Sequence, residues 1–227
     1  LDTNYTMAII AIGFAAILDT LDGRVARLIK GTSKVGKELD SLTDVISFGV
    51  APGLIIYFWS LNTMGKLGWI FVLIYIVCCA LRLARFNLTS IKENESWKVN
   101  FFEGVPSPAA AGLVLLPLIL SLSGLVQFQN NTIISSSSIL VTSVLMVSKI
   151  PTYSLKKIII PRNLTIFLLL GIGIFVSLLI FYTFKTLFFS GIIYLLLLPI
   201  SYFHYKSKNK TSLSKAPSEE EETEDVL

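Results

Sequence analysis

Long apolar stretches separated by short polar connections run through most of the chain. A helix that crosses a membrane needs about 20 mostly apolar residues, and seven stretches are close to that length or above it. The pattern therefore predicts an all-α fold, a polytopic transmembrane helical bundle with about seven spans. The predicted spans are Tyr5–Leu28, Gly36–Leu61, Leu67–Asn87, Pro106–Leu125, Ile133–Ile150, Leu164–Phe184 and Leu187–Tyr205. The fifth is the weakest, because the serine run Ser135–Ser138 interrupts it.

The composition favours a membrane protein over a soluble one. Hydrophobic residues make up 53% of the 227 residues and charged residues only 15%, and the mean hydropathy is +0.72. Because soluble domains carry about 25% charged residues, one or two soluble domains would lack a polar surface here. The net charge of +4 resides in the Lys and Arg residues of short connections. We therefore expect no nucleic acid among the partners and a lipid bilayer instead.

The distribution of Lys and Arg predicts the orientation of the bundle. Of the 19 Lys and Arg residues, all but Lys66 and Lys185 fall in alternate connections or in the C-terminal tail. Since cytoplasmic connections carry the excess of these residues, the first connection and the C-terminus are predicted to face the cytoplasm. From residue 206 the chain becomes polar and then acidic, which predicts a disordered cytoplasmic tail over 206–227.

Four aspartates, Asp19, Asp22, Asp40 and Asp44, lie within the first two predicted spans. An ionisable group in a membrane span costs several kcal/mol and indicates a functional site. Asp19 and Asp22 are three residues apart, and Asp40 and Asp44 are four apart, so each pair shares one helix face. Because a short connection joins the two helices, we expect their cytoplasmic ends to bring the four carboxylates together.

Four neighbouring carboxylates repel one another, and divalent cations would neutralise them. Ligands that are all oxygen favour Mg²⁺ or Mn²⁺, with Ca²⁺ as a further candidate, over Zn²⁺. Pairs of such ions bind phosphates in displacement reactions, so we expect two ions per site.

The same helix faces carry small residues that leave room for a ligand, namely Gly23, Ala26 and Gly36. Arg27 could hold a phosphate oxygen. In the alternative, the aspartates pair with basic neighbours such as Arg24.

The run DTLDGRVAR over residues 19–27 continues into Gly36, Asp40 and Asp44 at fixed spacing. This pattern resembles the signature of the CDP-alcohol phosphatidyltransferases. The wider sequence resembles the phosphatidylserine synthase branch of that family over roughly residues 8–160. The stretches that carry this closer resemblance are Leu39–Pro52, Leu81–Asn87, Gly104–Gly112 and Met146–Pro151.

The resemblance implies an enzyme that transfers a phosphatidyl group from CDP-diacylglycerol to the hydroxyl of L-serine and releases CMP. It implies that Asp19, Asp22 and Asp40 bind metal, and that Asp44 both reaches a metal and acts as general base. It also implies a CDP site lined by Gly23, Ala26, Arg27 and Gly36.

Further implications concern the extent of the protein. The catalytic domain would occupy residues 1–205, and the protein would form a homodimer. The branch has one more helix before its signature helix, and the chain begins at Leu1 rather than at Met. We therefore expect an eighth span to precede the chain.

A serine acceptor needs a cation for its carboxylate. Arg82 and Arg85 lie three residues apart at the predicted cytoplasmic end of the third span, so they share a helix face. Lys149 lies at the matching end of the fifth span. These three residues are the candidate serine-binding groups. In the alternative, they contact lipid head groups.

Two other functions remain open at this stage. The nearest is a CDP-alcohol phosphatidyltransferase with glycerol phosphate or inositol phosphate as acceptor, which would need a denser cationic pocket. The second is a cation transporter, which predicts acidic residues spread through the depth of the membrane. The adjacent Cys78 and Cys79 and the pair Gly49 and Gly53 are predicted to serve helix packing.

Overall fold

The structure, a computed structural model, describes residues 2–28, 34–89, 101–125, 131–148, 151–153 and 162–213. Helices account for almost all of these residues, and their bounds are α1 (Asp2–Leu28), α2 (Lys34–Asp44), α3 (Ala51–Trp59), α4 (Lys66–Thr89), α5 (Ser107–Val114), α6 (Leu116–Leu122), α7 (Thr132–Val147), α8 (Arg162–Phe181) and α9 (Thr183–Leu213). Two three-residue strands, β1 (Phe101–Glu103) and β2 (Pro151–Tyr153), pair antiparallel. The predicted all-α helical membrane fold is confirmed, with this short ribbon as its only addition among the described residues.

Each of the seven predicted spans is mainly helical over its described residues. Four helical segments are long and apolar enough to cross a membrane, namely Tyr5–Val25, Val35–Trp59, Lys66–Leu88 and Thr183–Ser201. Two further apolar helices, Thr132–Val147 and Thr165–Phe181, are shorter. The protein is therefore an integral membrane protein with several spans.

The second span is one continuous helical segment that changes its winding in the middle. A π-helical turn, Val45–Val50, joins α2 to α3, and the N–H of Ala51 donates to the carbonyl of Ile46, five residues back. The next residue is Pro52, which has no N–H to donate to the carbonyl of Phe48. The hydroxyl of Tyr75 on α4 donates to that carbonyl at 2.7 Å. A side chain of the neighbouring helix thus supplies the donor that proline lacks.

Small residues bring this segment close to α4. A Cβ atom added to Gly49 would lie 3.2 Å from the Cβ and Sγ atoms of Cys79, and one added to Gly53 would lie 3.1 Å from Val72 Cγ1. Cys79 is buried, and both it and Cys78 are free thiols. The predicted packing roles of the two glycines and of Cys79 are confirmed.

The fourth predicted span is divided in two, because α5 ends and α6 begins on either side of Leu115. Pro117 lies in the first turn of α6 and has no N–H for the carbonyl of Leu113. Ser138 of α7 donates its hydroxyl to that carbonyl at 3.0 Å. One of the serines that weakened the fifth predicted span therefore satisfies the backbone of a neighbouring helix.

The core lies where α4 packs against α3, α5 and α7, and it includes Val72, Tyr75, Val114 and Ile139, all fully buried. Helix α8 presents mostly exposed apolar side chains, as expected for a helix whose surroundings are lipid. Helix α9 ends at Leu213, eight residues into the segment predicted as a tail. Residues 214–227 lie outside the described residues, and the disordered tail stays a prediction.

Candidate active site

The aspartates of the first two spans converge. Asp19 and Asp22 lie in the C-terminal part of α1, and Asp40 lies on α2. One carboxylate oxygen from each of these three residues lies within 4.8 Å of the other two. Asp19 is half-buried, whereas Asp22 and Asp40 are exposed. The sequence prediction that these two helices bring their acidic faces together is confirmed for these three residues, hereafter called the acidic triad.

The acidic triad has the donor set and spacing that a hard divalent cation requires. Such cations prefer oxygen ligands at about 2.1 Å for Mg²⁺ and about 2.4 Å for Ca²⁺. Two ligands of one ion therefore lie at most twice that distance apart, about 4 to 5 Å. The three oxygens of the triad lie within 4.8 Å of one another, which is inside this limit for the larger ion and close to it for Mg²⁺. The triad can therefore hold a divalent cation.

Asp44 lies beside the acidic triad rather than in it. Its carboxyl is half-buried and lies within hydrogen-bonding range of the Asp19 carboxyl. It also interacts electrostatically with Arg82 of α4. Asp44 is the last residue of α2, directly before the π-helical turn. Asp44 therefore connects the triad to Arg82, the only buried arginine among the described residues.

The residues predicted to line a CDP site flank the acidic triad on α1 and α2. Gly23 follows Asp22 directly, and a Cβ atom added there would meet nothing within 4 Å. The small size of Gly23 is therefore not needed for packing against another helix, and the space beside it is open. Gly36 lies in the first turn of α2 and is exposed. Ala26 and Arg27 belong to α1, and their side chains lie outside the described residues.

Arg82 is buried, with only 8% of its surface exposed. Its Nη1 donates to the hydroxyl of Ser107, at the start of α5, and its guanidinium interacts with Asp44. The Nε–H of Arg82 is buried and has no hydrogen-bond partner among the described residues. A buried cation with an unused donor next to a carboxylate is suited to receive an anionic group.

Arg85 points elsewhere, although it lies only three residues further along α4. Its Nη1 donates to the carbonyl of Val147 at 2.9 Å, and its Nη2 donates to that of Ser148 at 3.1 Å. These carbonyls belong to the C-terminal end of α7, where helical carbonyls lack partners within the helix. Arg85 therefore caps α7. Gly104 approaches the same end so closely that an added Cβ atom would lie 2.6 Å from the Met146 carbonyl oxygen.

Lys149, the third candidate for binding serine, lies outside the described residues.

Two polar residues that interact with Arg82 were not predicted from the sequence. Ser107 binds Arg82 and falls in a stretch that carries the family resemblance, so a signal for it existed. Tyr194 of α9 also interacts with Arg82, but a single tyrosine in an apolar helix gives no local signal. In addition, Asn87 of α4 donates to the Ser41 hydroxyl at 2.9 Å, which ties the end of α4 to α2 beside Asp40.

Comparisons with known proteins agree with the signature residues. The sequence model of the family described as CDP-alcohol phosphatidyltransferase matches residues 1–156, and that of CDP-alcohol phosphatidyltransferase 2 matches residues 163–199. The acidic triad, Asp44 and Arg82 all fall within the first match.

Several relatives are named CDP-diacylglycerol–serine O-phosphatidyltransferase. The protein from Helicobacter pylori strain 26695 is 42% identical over 175 residues, which are 77% of this chain and 70% of that protein. The protein from Bacillus subtilis is 36% identical over 154 residues, 68% of this chain and 78% of that protein. The protein from Mycobacterium leprae is 41% identical over 157 residues, 69% of this chain and 52% of that protein.

The chain spans about half the length of the mycobacterial relatives that it matches. The family match nevertheless covers more than half of the chain and includes every signature position. The resemblance found in the sequence is therefore confirmed at the level of the family, and the chain belongs to the CDP-alcohol phosphatidyltransferases.

Proposed function

We propose that this protein is a phosphatidylserine synthase, a CDP-diacylglycerol–serine O-phosphatidyltransferase that releases CMP. The observation that carries the proposal is the convergence of the Asp19, Asp22 and Asp40 oxygens within 4.8 Å of one another at the ends of two membrane helices. The family supplies the reaction class, and the names of the relatives supply serine as the acceptor.

The acidic triad would hold divalent cations, Mg²⁺ or Mn²⁺, with Ca²⁺ as a further candidate and two ions per site. Asp44 lies beside Asp19 and is close enough to serve as a ligand of the second ion. When bound, such cations polarise a phosphoryl oxygen and offset the negative charge that develops on the leaving nucleotide.

The open face beside Gly23 would receive the nucleotide of the donor lipid. Gly23, Ala26 and Gly36 leave space there, and Arg27 follows on the same helix. Because α1 and α2 belong to apolar spans, a lipid docked against them can keep its acyl chains in the bilayer while its pyrophosphate reaches the acidic triad.

Asp44 would act as the general base. A serine hydroxyl is a weak nucleophile near neutral pH, so a carboxylate must take its proton as it attacks. The serine oxygen then bonds to the phosphorus that carries the diacylglycerol, and the bond from that phosphorus to CMP breaks. Arg82, next to Asp44, is the group we assign to the carboxylate of serine. Arg85 donates to the carbonyls at the end of α7, and its predicted contact with serine, like that of Lys149, stays a prediction.

The proposed site and the C-terminus face the cytoplasm, because the Lys and Arg residues concentrate on that side of the predicted spans. This placement suits serine and CMP, which are water-soluble. The homodimer that the family resemblance implies stays a prediction that the oligomeric state in detergent would test.

The test is incorporation of radiolabelled L-serine by the detergent-purified chain with CDP-diacylglycerol. We expect labelled phosphatidylserine and CMP in equal amounts, loss of both with a chelator, and recovery with Mg²⁺ or Mn²⁺. Release of CMP with glycerol 3-phosphate but not with serine would show that the protein belongs to a branch of the family that uses another acceptor. Metal uptake into liposomes without release of CMP would instead favour a transporter.

A further inference from the structure

Three buried side-chain atoms have no hydrogen-bond partner among the described residues: Ser60 Oγ, Arg82 Nε and Tyr194 Oη. Buried polar atoms normally have partners, so each exception calls for an explanation. Ser60 follows α3, at the end opposite the acidic residues of that span. The other two lie on different helices, α4 and α9, and their side chains interact electrostatically with each other.

The surroundings of this pair identify the chemistry of the missing partner. The Nη1 of Arg82 donates to the Ser107 hydroxyl. The Nε–H, which can only donate, remains without an acceptor among the described residues. The phenol of Tyr194 can donate as well. Two unused donors, one of them on a guanidinium, suit an acceptor with negative charge, and the guanidinium would repel an ammonium group. Asp44, the proposed base, interacts with the same guanidinium.

We propose that Arg82 Nε and the Tyr194 hydroxyl together bind the carboxylate of the amino-acid acceptor. This inference rests on the proposed function and deepens it. It makes Tyr194, on the last helix, a residue that determines acceptor specificity. A serine held at its carboxylate by this pair lies beside Asp44, which then accepts the proton of its hydroxyl.

The acceptor and the donor lipid would therefore bind to side chains of different helices. The acidic triad and Gly23, which serve the donor, lie on α1 and α2, whereas the carboxylate pair comes from α4 and α9. Substitution of Tyr194 should therefore change the KM for serine and leave the KM for CDP-diacylglycerol unchanged. A phosphate on another acceptor shares the anionic chemistry, so the test includes glycerol 3-phosphate as a separate arm.

The test compares Tyr194→Phe with the wild type on two acceptors. A hydrogen bond to a charged group corresponds to a change of about tenfold or more in affinity, so the KM for serine should rise by at least that factor. Serinol carries a hydroxymethyl group in place of the carboxylate, and its KM should be the same in both proteins. Tyr182→Phe is the matched control, because Tyr182, directly before α9, is 56% exposed.

Three outcomes of the activity measurements overturn the inference. An unchanged KM for serine in Tyr194→Phe, with synthesis by the wild type intact, rejects the carboxylate contact and leaves the proposed function standing. An equal loss with serinol assigns Tyr194 a structural role. A wild type that incorporates glycerol 3-phosphate and not serine rejects the proposed function and the inference together.

A thermal measurement keeps the test independent of turnover. The Tyr194 hydroxyl has no partner within the described protein, so Tyr194→Phe without substrates should melt at the same temperature as the wild type or above it. Added serine should raise the melting temperature of the wild type more than that of the variant. A substantially lower melting temperature for the variant without substrates would reveal a structural partner and overturn the inference.

Discussion

Tyr75 donates a hydrogen bond of 2.7 Å to the carbonyl of Phe48, at the position where Pro52 cannot donate. The bond holds α4 against the π-helical turn that directly follows Asp44. The orientation of the proposed base is therefore linked to a buried contact one turn away from it.

Tyr75→Phe should lower both stability and turnover. Removal of the hydroxyl leaves a buried carbonyl without this donor, which costs about 1–3 kcal/mol of unfolding free energy. The turn after Asp44 would then be less well fixed, and kcat should fall. Melting in detergent and CMP release measure the two effects. Tyr57→Phe is the control, since the Tyr57 hydroxyl makes no hydrogen bond with the described residues, and an equal loss there would contradict the assignment.

Asp44→Asn should bind the CDP-lipid but not turn it over. An amide cannot accept the serine proton, and general base catalysis contributes about 10²–10⁴-fold in rate. The rate of CMP release should fall by that factor, while CDP-diacylglycerol still raises the melting temperature of the variant. If Asp44→Asn retains most of its turnover, the base is another group.

Asp19→Asn should raise the metal requirement. Asp19 is the half-buried member of the acidic triad, and its amide would give the ion a weaker, uncharged ligand. A titration of activity with Mg²⁺ should reach half-maximum at a clearly higher concentration than in the wild type. Glu38→Gln removes an exposed carboxylate from the same helix as Asp40 and should leave the titration unchanged. Identical curves for Asp19→Asn and the wild type would exclude Asp19 as a ligand.

Arg82→Lys and Arg85→Lys should separate into two phenotypes. Lysine at residue 82 loses the planar donors that reach Ser107 and the acceptor site, so the KM for serine should rise. Lysine at residue 85 loses several donors to the α7 carbonyls, so the melting temperature should fall while the KM for serine changes little. The reverse pattern would exchange the two roles.

Gly23→Ala and Gly49→Ala should likewise differ. A methyl group at Gly23 meets nothing within 4 Å, and alanine favours the helix by about 0.5–1 kcal/mol, so stability should hold or rise. The methyl group should nevertheless obstruct the nucleotide and raise the KM for CDP-diacylglycerol. At Gly49 the methyl group would press on Cys79 at 3.2 Å, and the melting temperature should fall. A Gly23→Ala variant with unchanged kinetics would place the nucleotide elsewhere.

The sequence was most informative where periodicity alone decides position. Spacings of three and four residues put the aspartates on shared helix faces, and the structure brings three of them together. The same reasoning paired Arg82 with Arg85, yet one guanidinium turns towards Ser107 and the other towards the end of α7. Which neighbour each meets depends on how α5 and α7 pack against α4, and spacing along one helix does not contain that information.

The interruptions in the spans were harder to predict for a similar reason. Pro52 is visible in the sequence of the second span, but the π-helical turn before it, and the bond that this turn receives from Tyr75 of another helix, are not. The serines of the fifth span lowered its apolar character, yet Ser138 donates to the helix that contains Pro117. Tyr194 gave no signal, since its interaction with Arg82 arises from the packing of separate helices and not from the sequence of its own helix.

The hydroxyl donors that compensate for Pro52 and Pro117 have a consequence for how the protein enters the bilayer. Pro52 and Pro117 have no N–H to donate to the carbonyls of Phe48 and Leu113. Each of these carbonyls accepts instead from a hydroxyl on a helix that is synthesised later, α4 in the first case and α7 in the second. Hydrocarbon offers no substitute donor, so the earlier span of each pair would stay beside the insertion machinery until its successor arrives. The chain should therefore be released into lipid as helical hairpins rather than one helix at a time.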